Sequence, residues 1–162
     1  MKDYRNIPVS DLGKGSNIKV DLCEAEVDIY WKMAIEVVEA IEENNKKGEP
    51  TVMIVPYGPL GPYARLVYLV NKYRINLNNC WFINMDEYLD NNFQYLDKSD
   101  PLSFRGGRDR IFYDLVDNKL NVPEAQRIFP EPGNEGYVWE IIQRHGKLDM
   151  CWGGVGITGH IA

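Results

Sequence analysis

Cysteine, histidine and long apolar runs are all scarce in this chain, and each shortage excludes a class of protein. The three cysteines, Cys23, Cys80 and Cys151, stand far apart with no Cys-x-x-Cys pair, so neither a disulfide framework nor a zinc module is expected. Cys80 and Cys151 border strand-like apolar runs and are read as small buried hydrophobes. An odd cysteine count fits a reducing compartment. The opening Met1-Lys2-Asp3-Tyr4-Arg5 lacks the apolar core of a signal peptide, and a cytoplasmic protein is the expectation. No apolar run approaches the roughly 20 residues of a membrane span, so no membrane partner is expected either. Positive charge is also in short supply, with 18 basic against 24 acidic residues and a formal charge of −6. Nonspecific nucleic-acid binding needs a basic face, and this balance argues against it. A phosphorylated small ligand stays compatible, because a few local donors suffice to hold one.

What is present is ordinary globular composition, 44% hydrophobic and 26% charged over 162 residues, enough for a single domain with a normal core. There is no internal repeat and no low-complexity segment. Residues 1–22 mix polar groups with Gly13 and Gly15, and read as an extension or, through the alternation at 18–22, as an edge strand. From Glu24 the apolar positions Val27, Trp31, Ala34, Ile35, Val38 and Ile41 recur at three- and four-residue steps. That is one face of a helix ending near Asn44-Asn45, stopped by Gly48 and Pro50, with its many acids on the solvated side. Thr51-Val52-Met53-Ile54-Val55 is continuously apolar, as a strand covered on both sides should be. A Pro/Gly turn over 56–62 and a helix from Tyr63 to about Tyr73 follow. Trp81-Phe82-Ile83-Asn84-Met85 predicts a second buried strand, 90–100 a loop, 108–118 a helix, and Val138, Ile141 and Ile142 another helix before a last strand at 148–152. Such alternation predicts an α/β fold: a doubly wound, mostly parallel, Rossmann-like sheet with helices on both faces. A covering helix is due after the last strand and no residues remain to build it. A sheet incomplete at its carboxyl-terminal side, and a longer parent protein, are therefore expected.

Ligands of such sheets sit beyond the carboxyl ends of the strands, which singles out 56–62, 84–90 and 153–160. At the second end, in Asn84-Met85-Asp86-Glu87-Tyr88, alternation points Asp86 and Glu87 in opposite directions if the strand persists that far, so one of them can face the crevice as a general base. The alternative is an acidic loop residue without a role. At the first end, Tyr57-Gly58-Pro59-Leu60-Gly61-Pro62 lies where a helix amino terminus would cradle an anion. Its prolines lack N–H groups and it has no Ser or Thr hydroxyl, so a plain strand–helix turn with Pro62 at the first helical position fits equally well. The third end, Gly153-Gly154-Val155-Gly156-Ile157-Thr158-Gly159-His160, carries one of only two histidines behind glycines that let backbone approach a ligand. The other, His145 beside Gly146, reads as a helix-end cation.

Asn84-Met85-Asp86-Glu87-Tyr88, taken with Gly154-Val155-Gly156-Ile157-Thr158-Gly159-His160-Ile161-Ala162, resembles the glucosamine-6-phosphate deaminase/isomerase family, whose superfamily includes 6-phosphogluconolactonase. The resemblance covers roughly residues 24–162. It implies conversion of glucosamine 6-phosphate to fructose 6-phosphate and ammonia, by ring opening and proton transfer between C2 and C1. Asp86 matches the carboxylate that carries the proton, and His160 the histidine that assists ring opening. Gly58, Leu60 and Gly61 of the first loop, and Gly156, Thr158 and Gly159 of the last, fall at the implied substrate-contacting positions. Neither a metal nor an organic cofactor is implied. The partner is a small sugar or sugar phosphate, with a homo-oligomer also open.

The chain departs from the family pattern in three places. Thr158 stands where the family has an acid that orients the imidazole, and a hydroxyl can only hydrogen-bond. The loop at 57–62 lacks the hydroxyls of the family's phosphate loop. The family's Phe-Asn-Glu-Pro continuation after His-Ile-Ala is absent, so the 162-residue chain alone is expected to be inactive. Two alternatives stand beside the enzyme: a catalytically impaired sugar-binding or regulatory paralogue, and a lactonase-like hydrolase.

Overall fold

Helix α1 (Glu26–Lys47) follows directly from the spacing of its apolar residues. A computed structural model of the chain describes residues 6–156 and 158–159. In it α1 buries Ala34, Val37 and Ile41, three positions that share one stripe of a 3.6-residue helix. Glu26 and Asp28 occupy its first turn and Lys46 and Lys47 its last, so both ends complement the helix dipole. Gly48 stops it in the left-handed conformation at φ 71°, the usual glycine exit. The helix starts at Glu26, after the expected Glu24. Val27 and Ile35, expected on the buried stripe, are exposed: Val27 lies in the first turn, and Ile35 sits about 100° around the axis from Ala34.

Four parallel strands follow, β1 (Thr51–Val55), β2 (Cys80–Asn84), β3 (Arg127–Ile128) and β4 (Met150–Cys151), in the spatial order β3-β2-β1-β4. Helix α2 (Gly61–Tyr73) joins β1 to β2, and α4 (Gly136–His145) precedes β4. Met53 and Val55 of β1 pack into one core with α1 and α2, while Val52 packs through the opposite face with Ile83, Ile128 and Ile141 of α4. Helices therefore cover both faces, as the unbroken apolar runs of β1 and β2 require. The sheet is doubly wound.

Asp149 locks the last strand to the first. Its carboxylate accepts from the Val52 N–H at 2.8 Å and the Asn44 amide at 3.1 Å, and pairs with Lys147 at 3.2 Å. Burial raises its pKa, but these bonds outweigh that and hold the carboxyl below its ordinary value.

Several details differ from the sequence reading. Residues 18–22 join no sheet, and Ile18, Val20 and Leu22 are exposed; alternation without a partner edge makes no strand. The expected helix at 108–118 begins earlier, as α3 (Phe104–Arg108), and continues into a π-helical turn (Asp109–Tyr113). Gly106 and Gly107, which look like breakers, are sites of close packing: a Cβ would lie 1.7 Å from the Lys98 carbonyl at Gly106 and 2.3 Å from the Tyr57 hydroxyl at Gly107. Cys80 is buried as expected, but Cys151 is exposed on the edge strand β4. His145 lies 4.7 Å from the Trp81 ring. Burial, then Arg144 and Lys147, hold its pKa below the usual histidine value, which disfavours the charged form that the sequence reading expects in the last turn of α4. Among the described residues no helix is long and apolar enough to cross a membrane.

Candidate active site

The strand order reverses at β1. The chain winds outward through β2 and β3 and then returns to place β4 on the other side. The crevice at such a switch point, beyond the carboxyl ends of the strands, is where doubly wound sheets bind ligands. Pro56, Tyr57 and Gly58 leave β1 there, Trp152, Gly153 and Gly154 leave β4, and Asp86 follows β2 by two residues.

A buried scaffold fixes the first loop. The Pro56 carbonyl accepts hydrogen bonds from the Tyr63 hydroxyl and from Nη2 of Arg108. Tyr57 stacks on Phe104 of α3 with centroids 4.3 Å apart and planes 11° from parallel. The Gly58–Pro59 peptide is cis. Gly58 and Leu60 are exposed, whereas a Cβ on Gly61 would fall 2.1 Å from the Tyr30 ring of α1. Gly61 thus serves the close approach of two helices. At the start of α2 the Tyr63 N–H already bonds the Leu60 carbonyl at 3.2 Å, and Pro62 has no N–H to give.

The two acids after β2 divide their work. Glu87 accepts from the backbone N–H groups of Phe104 at 2.8 Å and Arg105 at 2.7 Å, capping the positive end of α3. Asp86 is exposed, and no hydrogen bond engages its carboxylate among the described residues. Partial burial raises its carboxyl above the ordinary range and Glu87 adds to that, while Arg108 opposes both. A carboxylate left free beside a crevice, with its basicity raised, has the attributes of a general base.

Arg108 is the residue sequence reasoning missed. It is 0% exposed, its guanidinium lies 3.7 Å from the Tyr63 ring centroid, and its Nε and Nη1 have no hydrogen-bond partner among the described residues. No carboxylate pairs with it among the described residues. A buried, unpaired cation is costly, and this one lies directly beneath the loop after β1. Arginine is a surface residue by habit, so only its place between a glycine pair and the apolar Ile111-Phe112 hinted at burial.

At the third strand end, Gly156 and Gly159 belong to one turn, closed by the Gly159 N–H on the Gly156 carbonyl at 2.8 Å. Thr158 and Gly159 are exposed. His160 lies outside the described residues. A 320 Å³ hollow lined by Trp31, Ala64, Arg65 and Tyr68 sits between α1 and α2. It holds none of these groups, and its one charge, Arg65, is already over the Tyr30 and Trp31 rings. Among the described residues no cluster of His, Cys, Asp or Glu is arranged to hold a metal ion.

No protein-family model matches the chain. It is 30% identical over 149 residues to glucosamine-6-phosphate deaminase of Aliivibrio salmonicida, covering 88% of this chain and 53% of the relative. The enzyme of the same name from Dictyostelium discoideum is 30% identical over 151 residues, covering 90% and 54%. That from Pasteurella multocida is 30% identical over 121 residues, covering 72% and 43%. The chain spans about half the length of the curated relatives it matches. Its fold also superposes on a solved structure of a monomeric glucosamine-6-phosphate deaminase with a TM-score of 0.72 and 21% identity, covering 89% of this chain and 58% of that one. Relatives of one name, matched along most of the chain and supported by a common fold, show that the chain belongs to the glucosamine-6-phosphate deaminase/isomerase family.

Proposed function

We propose that the protein takes part in converting glucosamine 6-phosphate to fructose 6-phosphate and ammonia. The observation that supports this reading is the division between the two acids after β2: Glu87 caps α3, and no hydrogen bond engages Asp86 among the described residues. In this reaction His160 passes a proton from the C1 hydroxyl to the ring oxygen, and the pyranose opens to the aldehyde. The Asp86 carboxylate takes the C2 proton while the C1 oxygen accepts a proton released by the C2 ammonium through water, giving a C1–C2 enolamine, and Asp86 then returns its proton to C1. Water adds to the resulting C2 iminium, the C2–N bond breaks, and ammonia leaves with fructose 6-phosphate. Atoms balance with one water consumed, and each proton is carried by a side chain or by water. Gly58, Leu60, Gly156, Thr158 and Gly159 line the approach to the sugar phosphate in this reading, while the packing of Tyr30 on Gly61 argues for a structural role there.

The test is ammonia release coupled to fructose 6-phosphate formation, assayed on the 162-residue chain and on a longer form, with Asp86→Asn made in the longer form. Loss of a positioned general base should lower turnover by roughly 10²–10⁴. Turnover unaffected by Asp86→Asn would remove the proposed base.

A second reading, a sugar-phosphate-binding paralogue without turnover, draws on the first loop. Pro59 and Pro62 offer no N–H, and the Tyr63 N–H is already bonded. Glucosamine 6-phosphate binding by calorimetry, without ammonia release from any length of the protein, would favour it. Hydrolysis of 6-phosphogluconolactone would favour the lactonase-like reading instead.

A further inference from the structure

A second polar pocket opens at the sheet edge, where α3 and its π-helical continuation face β3. Its volume is about 240 Å³, and Lys98, Arg105, Asp109, Tyr113, Glu124 and Arg127 line it. Arg105, Asp109 and Tyr113 follow at four-residue steps and so share one helix face. Lys98 and Asp109 neutralise each other at 2.6 Å. That leaves two guanidinium groups against the single carboxylate of Glu124. Neither guanidinium pairs with a carboxylate among the described residues.

Both guanidinium groups are held in place by other contacts. Arg105 lies 4.3 Å from the centroid of the Tyr95 ring, and Arg127 lies 4.0 Å from that of Tyr113. Nε of Arg127 also donates to the Val122 carbonyl at 2.9 Å, which leaves its two Nη groups for a ligand. The Tyr95 hydroxyl bonds the Pro130 carbonyl at 2.7 Å, and Nη1 of Arg110 bonds the Lys98 carbonyl at 2.9 Å, so the loop over the pocket is tied down on two sides. Paired, oriented guanidinium forks match the oxygens of a tetrahedral anion better than any other common ligand. The pocket is smaller than the roughly 300 Å³ at which drug-sized ligand sites begin, a size suited to one anionic head group.

We propose that this pocket is a second anion site, binding a phosphate dianion through Arg105 and Arg127, apart from the crevice that holds Asp86. Inorganic phosphate and the head of a small phosphate monoester share this chemistry. Glu87 accepts from the backbone N–H of Arg105 while the Arg105 side chain lines the pocket, so the backbone that carries this guanidinium is fixed.

The experiment is an NMR titration of the wild-type protein with inorganic phosphate and, separately, methyl phosphate, following the assigned arginine Nε–H signals. Shifts of Arg105 and Arg127 that saturate together are expected, and the ligand with the tighter titration identifies the natural source. An Arg105→Gln variant should weaken phosphate binding at least tenfold by calorimetry, with Asp86→Asn leaving it within twofold. Far-ultraviolet circular dichroism of Arg105→Gln checks that the fold is retained. If neither ligand moves the two wild-type signals by 20 mM (about the weak limit of a specific site, on the order of 2–3 kcal/mol), the proposal is overturned, whatever the variant does. The same holds if Asp86→Asn abolishes the titration, because the anion would then be in the crevice.

Discussion

Exchanging the two neighbouring acids one at a time should separate stability from catalysis. In Glu87→Gln the amide keeps one acceptor oxygen for the α3 backbone but loses its charge. The wild-type carboxylate makes two short bonds, 2.8 Å to Phe104 N and 2.7 Å to Arg105 N. Hydrogen bonds to a charged group contribute about 1.5–3 kcal/mol each, and Glu87 is half-buried, so solvent screens part of that. One lost bond and one weakened bond then come to about 2 kcal/mol. For a chain of this size that is a fall in Tm of about 4–8 °C.

Asp86→Asn should do the opposite. Partial burial, then Glu87, raise the Asp86 carboxyl above its ordinary value of 3.8 in the folded state. The native protein therefore holds that proton more tightly than the unfolded chain. The stability this gives is full below 3.8 and is lost as pH rises through the folded pKa. Asparagine cannot ionise and escapes that loss, so at pH 7 Asp86→Asn should melt at or slightly above wild type while losing turnover. Thermal melts by circular dichroism at pH 7 and pH 3.5, alongside the ammonia assay, give all four numbers. The reasoning fails if Asp86→Asn is the less stable variant at pH 7, or if Glu87→Gln melts within about 1 °C of wild type.

Three further outcomes are expected. Gly106→Ala should destabilise by about 3 kcal/mol or more, because its methyl would meet the Lys98 backbone, whereas Gly58→Ala, with open space around it, should stay within about 0.5 kcal/mol in urea unfolding. Arg108→Met should raise the Asp86 pKa by removing the one group that lowers it, so the acidic limb of the pH–rate profile moves to higher pH; an unmoved limb refutes that coupling. Burial pushes the Cys80 thiol up to about 12, so a thiol-specific reagent should label Cys151 promptly and reach Cys80 only on unfolding, as peptide mass mapping would show.

Much of the architecture could be read from the chain because its central elements announce themselves. A strand buried on both faces must be continuously apolar, and β1 and β2 are. The face of α1 repeats with the helical period. The edge strand β3 carried no such signal: it is two residues long, and its first residue is an arginine, so no periodicity could reveal it. Gly106-Gly107 gave no helical signal, since glycine weakens a helix in isolation, and here it permits docking of α3. At the site, period-two alternation does not reach Asp86 and Glu87, because β2 ends at Asn84, and the local sequence cannot say which of the two a later helix will use as its cap. That depended on α3, which enters from 17 residues further along. The burial of Arg108 was likewise invisible, because its contacts with Pro56 and Tyr63 span distant parts of the sequence.

The lock made by Asp149 has a consequence for how the molecule comes into being. Its bond to Val52 joins residues 97 positions apart, and its bond to Asn44 joins residues 105 apart. Helix α1 and strands β1 and β2 can meet through nearer neighbours as soon as the ribosome has released them. The crevice between β1 and β4 has to wait until synthesis has run on to β4. Such distant contacts are slow to form because a long loop must close first. Half-made or partly refolded molecules therefore carry Asp86 but not the opposite wall, and a probe of the contact between β1 and β4 would report on the joining of the described strands. Among the described elements, the two walls of that crevice are the last to meet.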